Sequence, residues 1–99
     1  MIEFIKEYGV TTLDYEYIMH NIKQEIIEHI SLSESSVREV LEYYNELGIT
    51  YNIGKILVMR PDLILTSIEN LEEQFSKVNK EVLISIIDKS VEDLILLGI

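Results

Sequence analysis

Residues 37–49 read VREVLEYYNELGI, and their spacing decides the class of fold. Val37, Val40, Leu41, Tyr44 and Leu47 recur at i, i+3, i+4 and i+7, while Arg38, Glu39, Glu42, Asn45 and Glu46 fill the other side. That is the pattern of an amphipathic helix with one face turned to a core. Ser36 and Glu39 stand at capping-box spacing, which predicts a helix start there. Gly48 follows where a left-handed helix end favours a residue without Cβ.

The same period continues in both directions. Downstream, Ile53, Ile56, Leu57 and Met59 predict a two-turn helix entered through Asn52 and stopped by Arg60-Pro61, because proline lacks the N–H and disfavours helical geometry before it. Pro61 to Leu65 reads as a single tight turn, with 3₁₀ geometry one option. Ser67 then caps a helix whose seam is Ile68, Leu71, Phe75 and Val78. Two short helices follow, one around Val82, Leu83, Ile86 and Ile87, the other at Val91, Leu94 and Ile95 behind a Ser90/Asp93 box. Upstream, Ile2 to Tyr8 ends at Gly9. Asp14 to about Ile30 reads as one long helix, with Thr12 or Leu13 near its start and Ile18, Ile22, Ile26 and Ile30 four residues apart. No segment alternates with period two, no Asn-Gly or Asp-Gly turn occurs, and Leu63-Ile64-Leu65, the one strand candidate, has no evident partner. The expected fold is all-α: a helical-repeat bundle or truncated α-solenoid of about six or seven short helices, in one domain spanning residues 1–99.

Composition narrows the function classes. Hydrophobic residues make up 47% and charged residues 26% of the 99, the balance of a globule and not of a disordered tail. With no Cys, disulfide scaffolds, thiolate zinc sites and thiol nucleophiles are excluded. The N-terminal residues lack the order of a secretory signal, and no apolar run approaches the roughly 20 residues that span a bilayer. The compartment expected by default is the cytoplasm, with no membrane partner.

Self-similarity adds a repeat. Glu7-Tyr8-Gly9-Val10 returns as Glu46-Leu47-Gly48-Ile49, and Leu96-Leu97-Gly98-Ile99 echoes both, at offsets of 39 and 50 residues. Each glycine closes an amphipathic helix, so the following helix is expected to fold back on it. Residues 37–75, reading VREVLEYYNELGITYNIGKILVMRPDLILTSIENLEEQF, resemble one repeat of the mitochondrial transcription termination factor (mTERF) family. The resemblance rests on Leu47-Gly48-Ile49, Ile53, Ile56-Leu57, Pro61, Leu63, Leu65, Ser67 and Leu71, and covers roughly two-fifths of the chain. The N-terminal unit fits loosely, with Ile22 where the proline would fall. The resemblance implies three-helix units stacked into a curved α-solenoid and nucleic-acid binding along a basic concave face.

The charge departs from that implication. The net charge is −10, divided as −7 over residues 1–49 and −3 over residues 50–99. Phosphate neutralisation by Lys and Arg is the main source of non-specific nucleic-acid affinity. Only Lys55 to Arg60, and the pair Lys77 and Lys80, tend positive. These four are the candidate nucleic-acid contacts.

Catalytic and metal chemistry find little support. On one long helix His20 and His29, nine residues apart, would point to nearly opposite sides; each follows a Glu by four residues (Glu16, Glu25), a common exposed pairing. Carboxylate pairs such as Glu72-Glu73 and Glu92-Asp93 lie on polar faces or in first turns, where a raised pKa is not expected. No Gly-x-Ser-x-Gly elbow or phosphate-binding glycine pattern occurs. The expectation is a non-enzymatic protein with no catalytic residue, cofactor or metal.

Tyr44 falls on the apolar stripe and is expected in the core. Tyr43, one step off and beside Glu39, Glu42 and Glu46, is the candidate contact for another protein. The apolar C-terminal residues Leu94 to Ile99 either fold under the domain or join two copies into a homodimer. The leading reading is thus a small acidic interaction module for another protein. Its rivals are an mTERF-like nucleic-acid binder using Lys55, Arg60, Lys77 and Lys80, and an acidic nucleic-acid mimic that occupies an enzyme's basic groove.

Overall fold

The computed structural model describes residues 1–50 and 52–99, and every regular element among them is helical. The order is a 3₁₀ helix at Glu3–Tyr8, α1 at Thr12–Asn21, α2 at Gln24–Leu32, α3 at Glu34–Glu46, α4 at Ile53–Met59, α5 at Asp62–Leu65, α6 at Ile68–Ser76, α7 at Lys80–Lys89, and a second 3₁₀ helix at Val91–Leu97. The all-α reading is correct, but these nine elements exceed the six or seven expected. Two local features account for the difference.

The first is the segment read as one helix from Asp14 to Ile30. It breaks after Asn21, where Ile22 and Lys23 are extended with ψ of 141° and 147°. Side chains four apart on an α-helix drift by about 40° per step, so four isoleucines in that register would spiral by about 120° off any flat interface. The break resets the phase. Ile22 is buried, and the core positions of α2 become Ile27 and Ile30, with Ile26 at the edge. His20 and His29 consequently sit on different helices, both exposed. The second feature is the turn after Pro61, which forms one α-helical turn that buries Leu63 and Ile64 and is no strand.

Capping partly follows the sequence. Thr11, Ser67 and Asn79 each accept a hydrogen bond from the backbone N–H three residues on. The Ser36/Glu39 box does not form the start of α3. A single residue, Ser33, ends α2 and opens α3, so Ser36 already lies in the first turn. Nor does the Ser90 side chain cap the last helix; the Asp93 N–H instead donates to the Ser90 carbonyl at 3.0 Å, the i→i+3 bond of a 3₁₀ segment.

The glycine turns behave as expected and meet in space. Gly48 (φ 89°) ends α3 in a Schellman motif, with Ile49 N–H donating to the Tyr44 carbonyl and Gly48 N–H to the Asn45 carbonyl, both at 2.9 Å. Gly9 (φ 100°) lies so close to the other turn that a Cβ there would stand 2.6 Å from the Thr50 carbonyl oxygen. The first 3₁₀ helix packs on α3, and α1 packs on α4. The helices before the two glycines are therefore neighbours, as are the helices after them, the arrangement of two stacked units. Arg38 ties the first pair together: it donates to Glu7 at 3.1 Å and Glu34 at 2.8 Å, with its guanidinium 5.0 Å from the Phe4 ring centroid.

One contiguous apolar cluster runs through all nine elements. Tyr44 lies in it, as expected, and its hydroxyl donates to the Leu63 carbonyl at 2.9 Å. At the C-terminus Val91 and Leu94 fold under the domain, whereas Ile95 and Leu96 remain 70% and 79% exposed. No helix among the described residues is long and apolar enough to cross a membrane.

Candidate binding groove

The site grows from the phase of two helices. On α3, Val37, Val40, Leu41 and Tyr44 face inward, so Tyr43, about 100° further round, falls on the boundary between core and solvent. On α6, Leu71 and Phe75 are the buried positions, which leaves Ile68 and Glu72 on the flank beside α3. The two helices pack so that the Tyr43 ring stands 6.1 Å from Phe75 and 6.4 Å from Tyr44, with Phe75 edge-on to Tyr44 at 6.0 Å. Aromatic pairs at such separations favour tilted and edge-to-face geometry, which fixes the Tyr43 ring as a wall instead of a loose surface side chain.

Two concavities meet at that wall. The larger, about 380 Å³, has an apolar lining from Tyr43, Leu47, Phe75, Val78 and Leu83, with Glu72, Ser76 and Lys80 at its edges. The smaller, about 210 Å³, lies between Glu39, Glu42 and Glu46 of α3 and Ile68 and Glu72 of α6. Tyr43 and Glu72 belong to both, so the two form one groove along the α3–α6 seam. Among the described residues, none of its four glutamates has a cation within ion-pairing distance. Burial, then the carboxylates of Glu72 and Glu46, hold the Tyr43 phenol above its ordinary pKa, so it stays a neutral donor at physiological pH.

The structure brings Tyr43 and Lys80 into this groove and leaves the other candidate cations elsewhere. Lys77 is exposed at the C-terminal cap of α6. Arg60 is clamped by Asp62 through two hydrogen bonds of 3.1 and 3.0 Å, which neutralises its charge and raises its pKa. Lys55 lines a separate concavity of about 340 Å³ with Asp14, Tyr17 and Asn52. Sequence reading missed Leu47, Phe75, Val78 and Leu83 as groove residues and took Glu72 for a merely solvated carboxylate. Periodicity marks which face turns inward, but not which helices become neighbours.

The groove's chemistry is that of contact and charge. It offers an aromatic wall, an apolar floor and carboxylates that are unpaired among the described residues, and its one serine, Ser76, donates its hydroxyl to the Glu73 carbonyl at 2.7 Å. Among the described residues no three His, Asp or Glu side chains cluster closely enough to hold a metal ion. No protein-family model matches the chain, and neither a curated protein nor a solved structure matches it.

Proposed function

We propose that this protein is a small non-enzymatic helical-repeat module that binds another protein, and that the α3–α6 groove is its contact surface. One observation carries the reading. An apolar concavity walled by Tyr43 is bordered by Glu39, Glu42, Glu46 and Glu72, carboxylates that no cation among the described residues neutralises. Aromatic residues in well-packed depressions are the usual anchors of protein interfaces. The same carboxylates repel phosphate, which weighs against a polyanion at this surface.

The stacked Gly9 and Gly48 turns support the proposal of mTERF-like repeat architecture. The nucleic-acid role draws less support, because Arg60 is neutralised by Asp62 and Lys55 shares its concavity with Asp14. Affinity capture from cell extract tests the reading with three baits: the wild type, Tyr43→Ala, and Leu13→Ala, whose exposed side chain lies on α1 away from the groove. A protein retained by the first and third but lost from Tyr43→Ala is the expected result. Equal retention by all three would remove the groove from the interaction.

A further inference from the structure

Resting on the protein-binding reading above, the geometry points to a basic amphipathic helix as the groove's occupant: an apolar ridge with Lys or Arg beside one end of it. The groove is not uniform along its length. Glu39, Glu42 and Glu46 extend over eight residues of α3, about 10 Å at a rise of 1.5 Å per residue, opposite Ile68 and Glu72 of α6. The adjoining larger concavity is mainly apolar, lined by Leu47, Phe75, Val78 and Leu83, with Glu72 shared between the two. A segment lying along the seam therefore meets a mainly acidic stretch about two helical turns long and, adjoining it, a mainly apolar one.

The dimensions and the charge select the occupant. Two turns of helix present apolar side chains at i, i+3, i+4 and i+7 on one face, which is how helices seat in grooves of this kind. Lys or Arg at the end near Glu42 would supply the cations that the four carboxylates lack among the described residues, while the single cation among the described groove residues, Lys80, lines the mainly apolar part, where it disfavours a second basic cluster. An acidic helix would meet like charge along half the seam. A second copy of this chain, at −10, is disfavoured for the same reason.

The test uses three fluorescein-labelled 14-residue peptides built from Leu, Ala and charged residues, read by anisotropy. One carries an apolar face with Lys beside one end. The second has the same composition with the Lys scattered into that face, and the third replaces each Lys by Glu. The first peptide is expected to bind at least about ten-fold more tightly than either of the others, with affinity falling as salt rises. The variant Glu42→Gln/Glu72→Gln, both exposed positions, should weaken it about five-fold and flatten its salt dependence. Equal binding of the scattered peptide would reduce the effect to bulk charge and overturn the inference, as would equal binding of the acidic peptide. If no peptide binds while Tyr43→Ala still loses a partner from extract, the inference falls and the protein-binding reading stands. If no peptide binds and Tyr43→Ala loses nothing, both fall.

Discussion

The side-chain amide of Asn45 donates a hydrogen bond to the carbonyl oxygen of Tyr8 at 3.0 Å, across 37 positions of sequence. The same amide donates to the Ile49 carbonyl, also at 3.0 Å. Tyr8 precedes Gly9 and Ile49 follows Gly48, so one side chain staples the two glycine turns. Asn45→Ala should lower unfolding free energy by about 1–3 kcal/mol in urea titration, as expected when partly buried carbonyls lose their donor. Asn45→Asp should do no better, since it sets an anion against two carbonyl oxygens. A loss within the error of the titration would mean that the turns are held by packing alone.

The two glycines are expected to respond unequally to alanine. Both occupy positive φ, which costs an L-residue about 1–2 kcal/mol. A Cβ on Gly48 would meet nothing within 4 Å, but on Gly9 it would press against the Thr50 backbone. Gly48→Ala should therefore cost about that strain alone, and Gly9→Ala clearly more. Equal losses would indicate that the Gly9 and Thr50 backbones are not in contact.

Much of this architecture was legible in residues 37–75. Gly48, Pro61 and Ser67 act through local backbone chemistry, and each does what its residue type dictates. The break at Ile22 was hidden because neither Gly nor Pro marks it; only the position of the surrounding core favours it. The capping box failed for a related reason, since Ser36 and Glu39 have the right spacing but Ser33 was already the boundary. For the groove, Tyr43 could be found from its phase on α3, whereas Phe75, Val78 and Leu83 join it only through packing that no local pattern encodes. Lys55 and Arg60, close in sequence, looked like one basic patch until Asp62 claimed Arg60.

Tyr44→Phe isolates a buried polar contact. The hydroxyl donates to the Leu63 carbonyl, so its removal leaves that acceptor without this donor while the ring is retained. The expected cost is about 1–2 kcal/mol, a fall in Tm on the order of 5–15 °C for a domain of this size. Peptide binding at the groove should be unchanged when measured well below the new Tm.

Acid should weaken the clasp between the first 3₁₀ helix and α3. Hydrogen bonding from the Arg38 guanidinium holds the Glu7 carboxyl below its ordinary value of 4.5. A carboxyl lowered on folding contributes stability that is complete above its unfolded pKa and is lost as pH falls through the folded value. Wild type should thus exceed Glu7→Gln in urea midpoint at pH 7, with the difference closing as pH falls below 4.5 toward 3. A difference that persists at pH 3 would show that Glu7 acts through packing and not through charge.

A ¹H–¹⁵N titration with the Lys-bearing amphipathic peptide, and separately with duplex DNA at low salt, addresses the contact surface directly. The groove reading requires peptide-induced shifts concentrated at residues 39–47 and 68–83, with little response to DNA. Shifts concentrated instead around Lys55 and Arg60 on adding DNA, with residues 39–47 silent toward the peptide, would contradict it.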